Sequence, residues 1–232
     1  MTSIKPAGYI SKEQITATAD RFLAQMKNSS FIPKWPQLAD LAADFLDLSI
    51  DYENFDPSED GIAAKIYPTK KEIYFNNAFP AIRDNYGFYQ STLAHEIGHW
   101  LLHIDLNSPE AVSDERISIE VGLGDLSLPE EVFLCRSLDG DKIRIVNQRT
   151  PEDWREWQAQ YFASCLLMPI DKLEEVRRGR NLTKWQHLGA IADELGVTIS
   201  NLLNRLQDLE YLEKKGGNSK QLYPGKRLRL SE

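Results

Sequence analysis

The run Thr92-Leu93-Ala94-His95-Glu96-Ile97-Gly98-His99-Trp100-Leu101-Leu102-His103 contains three residues whose types and spacing suit metal chemistry. On a helix, residues four apart share a face with Cβ atoms about 5–6 Å apart, so His95 and His99 can offer two imidazole nitrogens to one ion. Glu96 follows the first histidine directly, which turns its carboxylate toward the open position of such an ion, where it can act as general base on a water. The chemistry implied is metal-assisted hydrolysis of a peptide bond. The competing reading is a core helix whose histidines are satisfied by ordinary hydrogen bonds. Leu93, Ala94, Ile97, Trp100, Leu101 and Leu102 mark the helix as buried, and burying two histidines and a glutamate without partners costs several kcal/mol. A bound ion would remove that cost.

Such a site needs a third protein ligand. His103 is eight residues from His95, about 12 Å along the axis at 1.5 Å per residue, so the three histidines cannot share one ion and His103 has a supporting or structural place. The elongated pattern H-E-x-x-H-x-x-G-x-x-H fails as well, because its glycine position is Leu102 and its last histidine position is Asp105. The ligand must come from another element. Asp114, Glu115 and Glu120 are nominal candidates in the long mixed run from Asp105 to Arg149. Glu156 is a further one. Thr150-Pro151-Glu152-Asp153 places a cap residue, an N1 proline and first-turn acids before a helix that continues to Pro169. Ala159 and Ala163, three and seven residues beyond Glu156, would let this helix approach the His95 helix closely. Glu156 is equally a first-turn glutamate that satisfies the helix dipole, a task for which Glu152 and Asp153 already suffice. Spacing leaves both readings open.

The elements around these motifs are legible in order. Ser11 with Gln14 forms a capping box flanked by Ile10 and Ile15 at the staple positions, and Ile15, Ala19, Phe22, Leu23 and Met26 make one apolar stripe. After the Pro33 to Pro36 break, Leu38, Leu41, Ala42 and Phe45 predict a second helix, and Leu48, Ile50 and Tyr52 a short strand. Gly61 to Tyr67 and Glu72 to Asn76, around Pro68-Thr69-Lys70-Lys71, read as a β-hairpin. Its edge could take an extended peptide through main-chain hydrogen bonds, or it could simply close the core. Val132 to Cys135 and Ile143 to Val146, with Asp139-Gly140 between them, predict a second hairpin.

The chain has 232 residues, 42% hydrophobic and 27% charged, enough for one or two globular domains. Its start lacks an apolar h-region and no later stretch resembles a membrane span, so the cytoplasm is the expected compartment and no membrane partner is expected. Cys135 and Cys165 form no C-x-x-C pattern and no disulfide framework. The net charge of −8 is uneven: residues 172–232 carry 12 Lys and Arg against 8 Asp and Glu, and the rest of the chain is acidic. In that tail Leu188, Ile191, Ala192 and Leu195 form one helix face, Gly196-Val197 turns, Thr198 caps, and Ile199, Leu202, Leu203, Leu206 and Leu209 form a second, a helix-turn-helix pattern. Tyr211 to Glu213 and Gln221 to Tyr223 would add a wing. Asn201, Asn204 and Arg205 are expected to face outward on the second helix, with Lys214, Lys215, Lys220, Lys226, Arg227 and Arg229 near phosphates if nucleic acid bound there. Asp208, Glu210 and Glu213 would repel phosphate, which favours a docking or structural tail over operator recognition.

The first motif with Leu102-His103, followed by Glu156-Trp157-Gln158-Ala159-x-x-Phe162-Ala163-x-x-Leu166-Leu167-Met168-Pro169, resembles the ImmA/IrrE family of intracellular metallopeptidases. The likeness runs from the first helix to Pro169, with both motifs in the expected order. It implies an α+β, zincin-like metallopeptidase domain over residues 1–170, with His95, His99 and Glu156 as metal ligands and Glu96 as catalytic base. Residues 171–232 would be a helix-turn-helix, winged-helix-like module, which family members often carry. The metal implied is zinc, with manganese as the substitute, and the substrate a protein, a helix-turn-helix transcriptional repressor. Three departures stand out. Gln90-Ser91 replace the family's Arg-Phe pair, Gln160 stands where an Asn is expected, and the gap between the motifs is long. Tyr161, Arg155 and His103 are the nearby polar residues that could stabilise an oxyanion. The alternative function is a non-catalytic regulator whose metal holds the fold and whose tail binds DNA or a protein.

Overall fold

The computed structural model describes residues 8–57, 62–68, 70–104, 151–213 and 221–229. The second predicted hairpin and the candidates Asp114, Glu115 and Glu120 lie outside them. The described residues combine helices with a small sheet, an α+β mixture, and none of their helices is long and apolar enough to cross a membrane.

Helix α1 (Lys12–Lys27) begins at the predicted capping box: the Gln14 amide donates to Ser11 Oγ at 3.3 Å and the Ser11 amide to Gln14 Oε1 at 2.9 Å. Its buried stripe is Ile15, Ala19, Phe22, Leu23 and Met26, as the spacing predicts. Helix α2 (Leu38–Phe45) has no cap of its own, and Gln90 supplies one from a distance, its Oε1 accepting from the Ala39 amide at 2.9 Å. The hairpin forms, with strand β2 (Ala64–Tyr67) antiparallel to β3 (Glu72–Asn76) and Ile66 opposite Ile73. Strand β1 (Ser49–Glu53) pairs with the other edge of β3, in parallel, so the order is β1-β3-β2. That pairing is long-range, and the strand pattern carries no signal for it.

A short helix α3 (Pro80–Asp84) leads into α4 (Tyr86–His103), whose N-terminus is closed by Asn85 Oδ1 accepting from the Phe88 amide at 2.9 Å. From Leu93 to Trp100 every residue of α4 is buried, so this helix is the axis of the core. Helix α5 (Pro151–Leu167) crosses it at Gly98. A Cβ on Gly98 would stand 2.9 Å from the Ala159 carbonyl oxygen and 3.0 Å from its Cα, so the two helices meet there almost backbone to backbone.

Beyond α5 follow α6 (Ile170–Val176), α7 (Trp185–Leu195) and α8 (Ile199–Asp208), then β4 (Leu212–Glu213) pairing antiparallel with β5 (Tyr223–Pro224), and α9 (Lys226–Arg229). Gly196 ends α7 with φ +67°, and its missing Cβ admits the Pro36 carbonyl oxygen, which would lie 2.4 Å from one. Thr198 then caps α8 by accepting from the Asn201 amide at 3.1 Å.

Two tail residues expected at the surface are instead buried. Asn201 is 8% exposed and donates through Nδ2 to Ser91 Oγ on α4 at 2.7 Å. Arg205 is 2% exposed and donates through Nε to the Met168 carbonyl at 3.3 Å. These two residues of α8 are turned to the body of the molecule, where a hydroxyl on α4 and the main chain just after α5 receive them. Asp208, on the same helix, accepts from Tyr161 and pairs with Lys12. Leu188, Leu195, Leu202, Leu206 and Tyr211 belong to the same apolar cluster as Leu93, Ile97 and Phe162, so the hydrophobic core is continuous across position 170.

Candidate metal centre

The α4–α5 crossing determines what the site residues face. With Gly98 and Ala159 in contact, the turn of α5 that precedes Ala159 lies over His95 and His99, and Glu156 reaches both. Its Oε2 lies 3.2 Å from His95 Nε2 and its Oε1 3.3 Å from His99 Nε2, while the two imidazole Nε2 atoms are 3.0 Å apart. Among the described residues these three form the one group whose ligand atoms all lie within 4.8 Å of one another. Bonds of about 2.0–2.1 Å in a tetrahedral site hold ligand atoms about 3.3 Å apart, so the donor triangle has the right size to hold a metal ion. His103 stands outside the triangle, as its axial distance requires.

The electrostatics fit a cation. His99 is fully buried and Glu156 partly exposed, with 31% of its side chain accessible. Burial pushes the Glu156 carboxyl up, but hydrogen bonds from His95 and His99 and their charges outweigh it and hold the group below the usual carboxylate range. Burial lowers His99, against the opposing pull of Glu156, and burial with the charge of His99 lowers His103 to about 3. Glu96 differs from all of them. It is 0% exposed, neither carboxylate oxygen has a hydrogen-bond partner among the described residues, and burial together with the Glu156 charge pushes its pKa well above the ordinary value. An unpartnered buried carboxylate is among the costliest side chains a core can hold. It stands close enough to the donor triangle for the Glu156 charge to act on it.

The other imidazole edges are also engaged. His95 Nδ1 lies 3.3 Å from Gln160 Oε1, so Gln160 orients the first histidine. His99 Nδ1 lies 3.0 Å from His103 Nδ1, and His103 Nε2 lies 2.9 Å from Gln158 Oε1. Sequence reasoning left Gln158 without a role. Its position between Glu156 and Ala159 does not say which face it presents, and only the helix crossing shows that it is buried against His103. Gln90 and Ser91 also have structural work: Gln90 caps α2 and donates to Asp40, and Ser91 holds Asn201. Of the three oxyanion candidates, Tyr161 donates its hydroxyl to Asp208 at 3.0 Å and His103 is enclosed between His99 and Gln158. Arg155 remains on the side of the site, its charge acting on His99 and His103.

Comparison with models of known protein families gave no match, and comparison with curated protein sequences gave none.

Proposed function

We propose that the chain is an intracellular zinc-dependent endopeptidase, with His95, His99 and Glu156 as metal ligands and Glu96 as catalytic base. The observation that carries this reading is Glu96: a fully buried carboxylate without a hydrogen-bond partner among the described residues, next to three converging donor atoms. A divalent ion held there supplies Lewis acidity, polarising a peptide carbonyl and acidifying a water. Zinc suits the donor set best, and manganese is its substitute. The remaining steps belong to the chain's own residues. Glu96 takes one proton from water as the water oxygen bonds to the carbonyl carbon, and it returns that proton to the amide nitrogen as the C–N bond breaks. His95 and His99 keep Nε2 free for the ion because Nδ1 of each is engaged elsewhere.

The resemblance to the ImmA/IrrE family supports a protein substrate, a helix-turn-helix transcriptional repressor, and a zincin-like body with a helix-turn-helix tail. The burial of Asn201 and Arg205 supports a tail that docks on the body in preference to one that reads DNA.

The test is cleavage of a diverse peptide library by zinc-loaded protein, read by mass spectrometry, for wild type and Glu96→Gln. The wild type should produce defined new termini. The variant should retain its zinc and lose about 10²- to 10⁴-fold in rate, the usual contribution of a general base. Equal cleavage by the two proteins, or none by a fully loaded wild type, would sink the catalytic reading and leave a metal-stabilised regulator.

A further inference from the structure

The hydrogen bonds behind His99 form a chain with one consistent direction. It starts at Gly8, in the segment before α1, whose main-chain carbonyl can only accept. Gln158 Nε2 lies 2.8 Å from that oxygen and so must be the donor, which fixes the orientation of the amide and turns Oε1 toward His103. His103 Nε2, 2.9 Å from Oε1, must then carry a hydrogen. His103 is 4% exposed and, among the described residues, makes no hydrogen bond to a carboxylate, so a doubly protonated ring would be a buried, uncompensated charge. Its Nδ1 is therefore a bare acceptor. His99 Nδ1, 3.0 Å away, supplies the hydrogen, and His99 Nε2 is left as a lone pair aimed at His95 Nε2 and Glu156. Reversing any one amide or ring would place two acceptors or two N–H groups face to face elsewhere in the chain.

We propose that Gln158 and His103 are positioning residues that hold His99 in its Nδ1–H tautomer and so set the affinity of the site for its metal, with the Gly8 carbonyl fixing the direction of the relay. The proposal rests on the metal-site reading above. It departs from the ordinary pattern in which a ligating histidine donates directly to a carboxylate or carbonyl, since here a second neutral imidazole is interposed. It also ties the metal to the segment preceding α1, which packs on α5 through Tyr9 against Trp154, ring centroids 5.3 Å apart.

Two measurements test it together. Long-range proton–nitrogen correlation spectra of histidine-labelled protein report the tautomer of each ring. His103 should be the Nε2–H form both with and without zinc, because Gln158 imposes it independently of the ion. Competition with a chromogenic chelator gives the zinc dissociation constant. Gln158→Leu, which removes the acceptor, should weaken zinc binding by about ten- to a hundredfold and leave His103 in mixed tautomers. Gln158→Glu should stay within a few-fold of wild type, because a buried neutral carboxyl can donate to Gly8 and accept from His103. An Nδ1–H His103 in the wild type, or unchanged zinc affinity in Gln158→Leu, overturns the relay. Should Gln158→Leu not fold, the wild-type spectrum still decides. A wild type that takes up no zinc overturns the metal site itself, and the His103 tautomer in that metal-free protein separates this failure from failure of the relay.

Discussion

The buried imidazoles of α4 carry a desolvation cost, and His103 makes that cost measurable. Its ring is held neutral by burial and by the neighbouring His99, with its pKa lowered from 6.5 to about 3. The unfolded chain therefore binds a proton at this residue before the folded one does. The contribution to stability is complete above the unfolded value and is lost as pH falls from about 6.5 toward 3. In metal-free protein, chemical denaturation at pH 7 and pH 4.5 should show wild type losing more stability than His103→Gln across that interval. Equal losses would mean that His103 is protonated in the fold. At this scale the sequence was informative where chemistry is local. H-E-x-x-H places His95, Glu96 and His99 by helix geometry alone, and the axial rise removes His103 from the ligand set. Spacing left Glu156 undecided between ligand and helix-dipole partner, because its role depends on a neighbour 57 residues away at His99, and sequence distance carries no information on a helix crossing.

The element that decides this crossing is the Gly98–Ala159 contact. The small residues Ala159 and Ala163 were readable as a close-approach face, and the capping box at Ser11, the apolar stripe of α1 and the hairpin of β2 and β3 were readable for the same reason: each rests on residues a few positions apart. The parallel pairing of β1 with β3 and the capping of α2 by Gln90 were not, since both join segments that only tertiary packing brings together. Gly98→Ala tests the crossing directly. Its Cβ would meet main-chain atoms at 2.9 and 3.0 Å, which cannot move as a flexible side chain does. The expected result is a loss of about 1–3 kcal/mol in stability, the usual cost of overpacking, together with weaker zinc binding as Glu156 is carried away from the histidines. Thermal unfolding and chelator competition on the same preparation would read both. An unchanged zinc affinity would show that Glu156 does not depend on this contact.

For the whole molecule, the tail is built into the body. The apolar pattern of α7 and α8 was legible, but amphipathic periodicity does not say what the polar face meets, and Asn201 and Arg205 proved to face Ser91 and Met168 instead of solvent. With apolar contacts continuous across position 170, residues 171–229 should not unfold separately. Thermal unfolding followed by fluorescence and by far-ultraviolet circular dichroism should give one coincident transition, raised by saturating zinc through mass action, about 2.7 kcal/mol at a hundredfold excess over the dissociation constant. Two resolved transitions would indicate a tail that folds on its own and is free to act apart from the body.

All of this depends on an ion being held by His95, His99 and Glu156. The most direct measurement is elemental analysis of wild type, His95→Ala and Glu156→Ala, purified without added metal and again after zinc loading. The expected result is about one zinc per wild-type chain, and its loss in both variants with the folded circular dichroism spectrum retained. A wild type that is metal-free and cannot be loaded, or a Glu156→Ala variant that binds zinc as tightly as wild type, would contradict it.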